Sequence, residues 1–140
     1  MTDAFDLQRF VTAQEPVYRN VLAELRAGAK RSHWMWFIFP QIAGLGFSAT
    51  AQHFAIRSVA EARAYDRHPL LGERLRVCFR LVLAGGRAVA DIFPYPDNLK
   101  YHSSATLFAA ANPSEPLYAE ALAKGFGGKA DAQTLRLLDH

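Results

Sequence analysis

From Leu7 to Leu138 the apolar residues recur at three- and four-residue spacing, and glycine or proline cuts the pattern into segments. One stretch breaks the rule. Residues 32–54 hold both tryptophans, Trp34 and Trp36, three phenylalanines before residue 50, a Phe39–Pro40 bond, and Gly44 and Gly46 on either side of Leu45. Neither a helical period nor strand alternation accounts for this stretch. Read as a strand, 34–39 finds no convincing second strand to satisfy its backbone groups. The expectation is therefore an all-α fold. A single compact domain over residues 1–140 would contain seven or eight mostly short helices and one long irregular aromatic loop over 33–47, with room in it for one helical turn.

The helices follow from local signals. Asp6 is an N-cap for a helix carrying Leu7, Phe10 and Val11 on one face. Glu15-Pro16 opens a second, striped by Val17, Val21, Leu22 and Leu25 and closed by Gly28. Ser48 caps a short helix reaching Ile56. Ser58 and Glu61 form a capping box for a helix with Ala62 and Tyr65 inward. His68-Pro69 starts the segment expected to be longest, with Leu71, Leu75, Cys78, Phe79, Val82 and Leu83 at helical spacing until Gly85-Gly86. A short helix at 88–93 stops before Pro94. Asp97 or Asn98 then caps a helix holding Leu99, His102, Ser103, Thr106, Leu107 and Ala110. Leu117, Ala121 and Leu122 mark another, and 131–138 a last turn or two with Leu135 and Leu138 packing back.

Length and composition set bounds. At 140 residues a folded chain buries roughly 68–70% of its extended surface, so a core forms without a metal or disulfide. The single cysteine, Cys78, excludes an intrachain disulfide and a multi-cysteine zinc site. It fits a reducing compartment, and a cytoplasmic protein is expected. The acidic Met1–Asp6 stretch lacks the basic-then-apolar pattern of a leader peptide, so none is expected, and the longest apolar run, 34–40, is too short to cross a bilayer. The formal charge is +3, too little for counterion release to drive nucleic-acid binding. Basic residues gather only at Arg26, Lys30, Arg31 and His33. Nothing calls for a cofactor, and the oligomeric state is open.

Two constellations carry candidate chemistry. In the first, Trp34, Trp36, Phe37 and Phe39 are either core or the wall of a pocket in which a flat indole stacks on a planar ligand. Gln41 is either a solvated loop residue or an amide presented to a ligand's edge. Gly44, Gly46 and Ser48 form either a tight turn or an anion-binding entry to a helix. In the second, Lys100 is a candidate anion contact, Ser103 part of a hydroxyl-rich wall with Ser104 and Thr106, and Asp97 a base or water-positioner. The alternative for the hydroxyls is back-bonding to carbonyls one turn earlier. The five histidines show no metal-ligand spacing. His102 and Ser103 point about 100° apart on a helix, which argues against a Ser/His/Asp triad. Cys78, set among core-spaced residues, reads as an inert thiol.

Distinctive strings fall at these constellations. They include Phe5-Asp6-Leu7-Gln8-Arg9-Phe10 with Gln14, His33-Trp34-Met35-Trp36-Phe37-Ile38-Phe39-Pro40-Gln41, Leu71-Gly72-Glu73-Arg74-Leu75, and Asp97-Asn98-Leu99-Lys100 with Ser103-Ser104. Over nearly its whole length the chain resembles the domain of unknown function numbered eighteen-ten, whose members sometimes carry the label calpastatin. The resemblance implies a small all-helical domain, with a mycobacterial member as prototype and no established activity. The calpastatin label does not suit a chain that is 51% hydrophobic, because that inhibitor is disordered. A more remote likeness lies in Gly46-Phe47-Ser48 and Thr50-Ala51-Gln52-His53-Phe54. These are similar to part of small helical N-glycosidase-like domains acting on ADP-ribose and riboflavin-pathway nucleotides. Their catalytic Glu is matched here by Gln52, so Asp97 or Glu61 would have to supply a carboxylate.

The expected function is a small-ligand pocket, extending to a hydrolase on a nucleotide or ADP-ribose-like compound. Trp34 or Trp36 would stack, Lys100 and the 44–48 turn would hold an anion, and Asp97 would position water. The alternative is a protein-interaction module using the aromatic 34–47 segment. In the first case the 32–54 segment and the start of the helix at 97 should face each other across the ligand.

Overall fold

The computed structural model describes residues 3–139. Among them are ten helices: α1 (Gln8–Gln14), α2 (Tyr18–Ala27), α3 (Met35–Ile38), α4 (Ala49–His53), α5 (Val59–Arg67), α6 (Leu71–Ala84), α7 (Val89–Ile92), α8 (Asp97–Ala111), α9 (Pro116–Phe126) and α10 (Ala132–Leu138). The fold is all-α in a single domain. The count exceeds seven or eight because pieces as short as α3 and α7, four residues each, stand as separate turns.

Helix α8 is the centre. It packs on α9 and α5, with further contacts to α10, α3 and α7, while α6 closes the core against α5, α2 and α9. At 15 residues it is the longest element, one more than α6, reversing the expectation. From Tyr101 to Phe108 only His102 escapes full burial, as befits a helix enclosed on nearly every side. Its hydroxyls are accommodated unequally. Ser103 donates to the Lys100 carbonyl at 3.1 Å and Thr106 to the His102 carbonyl at 2.9 Å. The buried Ser104 hydroxyl has no partner.

Several caps stand where the sequence placed them. Gly28 closes α2 with φ +75°, a left-handed conformation that favours glycine. Ser48 and Ser58 accept N–H bonds from Ala51 and Glu61. Others differ. Asp6 sits at φ +52°, and the Asp3 carboxylate caps α1 instead, accepting from the Leu7 and Gln8 N–H groups at 2.8 Å each. Helix α2 begins at Tyr18, beyond Pro16. Leu135 is exposed, and Leu137 packs inward in its place.

The aromatic segment has a partner after all. Beyond α3, Ile42 forms a parallel bridge with Ile56. Ala43 donates to the Ile56 carbonyl and Ile56 to the Gln41 carbonyl, both at 2.8 Å. These bonds fix the loop where a sheet would otherwise be needed.

Candidate functional site

The bridge leaves Gln41 directed at α8. Its Nε2 donates to the Ser103 hydroxyl at 2.6 Å, and the Ser103 bond to the Lys100 carbonyl completes a chain from loop to helix. Loop 41–51, the first turns of α8 and the start of α10 thereby enclose an open cleft of about 270 Å³, lined by Gln41, Leu45, Gly46, Ala51, Pro96, Leu99, Lys100, Ser103, Asp131 and Gln133. Gly46 permits the narrow neck, since a Cβ there would lie 2.7 Å from the Ala51 Cβ. A smaller hollow shares Gln41, Gly46 and Ala51 with the cleft and is floored by Trp36.

Lys100 links the two. Its Nζ lies 4.7 Å from the centroid of the Trp36 ring, within cation–π range, and 3.5 Å from Asp97 Oδ1. Asp97 Oδ2 in turn pairs with Lys30 at 2.8 Å. The side chains of Lys30 and Asp97 are only 8% and 19% exposed, so removing Asp97 should cost about 3–5 kcal/mol by stranding the Lys30 charge, whereas without Lys30 the carboxylate keeps Lys100. Asp97 therefore anchors α8 and holds Lys100. It is not among the residues lining the cleft, and each of its oxygens faces an ammonium. It does not cap α8 either.

The other sequence candidates divide clearly. Trp36, Gln41, Gly46, Lys100 and Ser103 are brought together. Trp34 is not: it is 1% exposed and packs beside Phe39 and Phe93. Its indole N–H donates to Glu24 at 3.1 Å. Gly44 borders the small hollow, but its own space is closed by Leu137, 3.1 Å from where a Cβ would stand. Ser48 is exposed and serves as the cap of α4. Gln52 donates to the Phe47 carbonyl at 2.8 Å, bracing the turn from outside the cleft. Glu61 is buried against Arg9 at 2.7 Å and accepts from the Arg57 N–H. His102 lies away from the cleft, stacked on Phe126 with centroids 3.8 Å apart.

Asp131 is the residue that sequence reasoning left out. The Thr106 hydroxyl accepts from its backbone N–H at 2.8 Å, which seats the start of α10 against α8. Its Oδ2 accepts from the N–H and hydroxyl of Thr134, and the residue is part of the cleft lining. The capping pattern at 131–134 was visible in the sequence, but no local signal tied it to residue 106. No cluster of three metal-ligating side chains occurs among the described residues, and none of their helices is long and apolar enough to cross a membrane.

A single all-helical domain with an open cleft of mixed apolar and polar lining beside its central helix is thus the class of protein defined here. The chain belongs to the family described as protein of unknown function (DUF1810), whose profile matches residues 4–138. It is similar throughout to the crystal structure of the conserved hypothetical protein Rv1873 from Mycobacterium tuberculosis, with 52% identity, a TM-score of 0.96 and 99% of each chain covered. No curated protein matches it.

Proposed function

We propose that the cleft binds a small anionic ligand with a planar ring, of the nucleotide or ADP-ribose class. One observation carries this reading: Lys100, which lines the 270 Å³ hollow beside the Gln41–Ser103 pair, holds its ammonium over the half-buried Trp36 ring of the adjoining smaller hollow. A cation, an aromatic face and an amide converge there, and ligand sites place a few polar groups in a concave wall in this way. The phosphate would displace Asp97 as the nearest partner of Lys100, and the ring would lie in the cleft against Leu45 and Leu99, with Trp36 reporting on it through Lys100. Any hydrolytic step would draw on Asp131, a lining residue of the cleft, in preference to Asp97, which lies outside the lining with each oxygen on an ammonium.

The test is tryptophan quenching together with thermal shift against AMP, ADP, ADP-ribose and flavin precursors. Saturable quenching should survive Trp34→Phe, vanish in Trp36→Phe, and weaken at least about tenfold in Lys100→Ala, the scale of one charge-assisted contact. Quenching that depends on Trp34, or no stabilisation by any compound, would count against the proposal. A second reading rests on the exposed apolar side chains Phe47, Tyr95 and Leu99, which are 82%, 78% and 52% exposed. Leu99 lines the cleft, and Phe47 and Tyr95 adjoin its lining residues Gly46 and Pro96. These could dock a protein over the cleft mouth. Self-association or partner capture that is lost in Phe47→Ser, without any nucleotide effect, would favour it.

A further inference from the structure

Residues 43–55 leave the body of the molecule and return to it at one narrow neck. The parallel bridge between Ile42 and Ile56 joins the two ends, with Ala43 donating to the Ile56 carbonyl and Ile56 to the Gln41 carbonyl at 2.8 Å each. Arg9 secures the returning end, donating from Nε to the His53 carbonyl at 2.9 Å and from Nη2 to the Ala55 carbonyl at 3.0 Å. Phe54 packs there against Phe10 and Phe37. Gln41, just before the neck, is tied to Ser103. Compact loops of roughly 6–16 residues whose ends meet in this way are frequently functional.

Beyond the neck little holds the loop. Among the described residues, the hydrogen bonds of 44–52 stay inside it: Ser48 Oγ accepts from the Ala51 N–H, and Gln52 donates to the Phe47 and Ser48 carbonyls. Residues 44–52 contain no Asp, Glu, Lys or Arg, so no ion pair fastens them. No residue of α4 is buried. Packing on the body lies at the root, where Leu45 is partly buried against the core and Gly44 meets Leu137. A segment braced internally and unbonded to its surroundings opens as one unit, well below the free energy of global unfolding. Gly44, at φ +105°, and Gly46 flank Leu45 on the outgoing limb and supply the pivot.

The loop carries Phe47, at 82% exposure the most open large apolar side chain among the described residues. It follows Leu45 and Gly46, which line the cleft, while Leu99 stands on the α8 wall. The lining of the open cleft holds no aromatic side chain. We propose that residues 44–52 are a flap that turns at Gly44 and Gly46 and lays Phe47 over the ring of the cleft's ligand, closing it against Leu99. The inference rests on the reading of the cleft as a site for a ring-bearing anion, and it names the residue that covers the ring. Closure buries Phe47 on the ring and excludes water from the Lys100 contact, which strengthens it.

Hydrogen exchange and calorimetry test this. In the free protein, exchange should reach the amides of 49–53 through a local opening that leaves α5 and α8 protected, because the loop's bonds are its own. Exchange in 49–53 only on global unfolding overturns the flap, whatever the cleft binds. In the titrations AMP is compared with ribose 5-phosphate, which has the phosphate without the base. Phe47→Ser, at an exposed position and so compatible with the fold, should weaken AMP about tenfold or more and leave ribose 5-phosphate unchanged, whereas Lys100→Ala should weaken both. AMP at about ten times its Kd for each protein should slow exchange in 49–53 about tenfold in the wild type and leave Phe47→Ser unchanged. If the wild type binds AMP and Phe47→Ser binds it equally well, the flap is wrong and the cleft reading stands. If the wild type binds neither compound, the cleft reading fails and the flap loses its ligand with it. A Phe47→Ser variant that loses self-association alone assigns the side chain to docking and overturns the flap.

Discussion

Trp34 and Trp36 stand two positions apart and do different work, and Glu24 explains why. Its carboxylate accepts from the N–H groups of Arg31 and Ser32 at 2.6 and 2.9 Å, from the Ser32 hydroxyl at 2.5 Å and from the Trp34 indole. Partial burial alone would raise its pKa. The Ser32 hydroxyl, the two backbone donors and the indole outweigh that and hold it below the ordinary 4.5. A depressed carboxylate stabilises the fold fully above the unfolded value, and the gain is lost as pH falls through the folded value. Glu24→Gln should therefore cost about 1–2 kcal/mol at neutral pH, with the difference from wild type shrinking below about pH 4.5. Urea denaturation at the two extremes measures this, and an undiminished difference in acid would show that Glu24 acts only through packing. Gly72 is as constrained. A Cβ there would stand 2.0 Å from the Asp66 carbonyl oxygen, so Gly72→Ala should lower stability by about 3 kcal/mol or more in the same measurement.

At the level of elements, α8 holds the cleft because two adjacent serines have opposite fates. Ser103 bonds Gln41 across the gap, whereas Ser104 bonds nothing. Ser103→Ala should cost about 1 kcal/mol by stranding the Gln41 amide, while Ser104→Ala should be neutral or stabilising, because it removes an orphaned hydroxyl. Equal losses in chemical denaturation would contradict the assignment. This contrast also marks what the sequence could carry. Caps at Gly28, Ser48 and Ser58 were legible because donor and acceptor lie within a few residues. So was the facing of the aromatic loop and α8, since both place polar groups among core-spaced apolar ones. Asp6 and Asp97 were misread as caps because Asp3 reaches the α1 terminus and Lys30 claims Asp97. The bridge from Ile42 to Ile56 and the seating of Asp131 on Thr106 depend on distant partners, and no spacing along the chain encodes them.

Across the whole molecule the buried polar groups share one core, so their titration should be one event. Cys78 is fully buried, and loss of solvent pushes its thiol up to about 12. Burial raises Tyr65, Tyr101 and Tyr118 as well, with the adjacent Asp66 adding to the effect at Tyr118. All four are acids whose folded pKa lies above the unfolded one. Their stabilising contribution is complete below the unfolded values, 9.0 for the thiol and 10.0 for the phenols, and disappears as pH rises toward the folded values. Once above the unfolded value, each adds a slope of about 1.4 kcal/mol per pH unit against folding. Four groups acting together exhaust a typical stability of about 5–15 kcal/mol within one to three pH units. The expected outcome is a single alkaline transition in which helical circular dichroism, tyrosinate absorbance and Cys78 reactivity toward a thiol reagent change together. The alternative is separate ionisation through local opening. Tyrosinate from the buried phenols, or thiol labelling, would then rise while the helix signal stayed intact, and α6, α8 and α9 would not form one cooperative core.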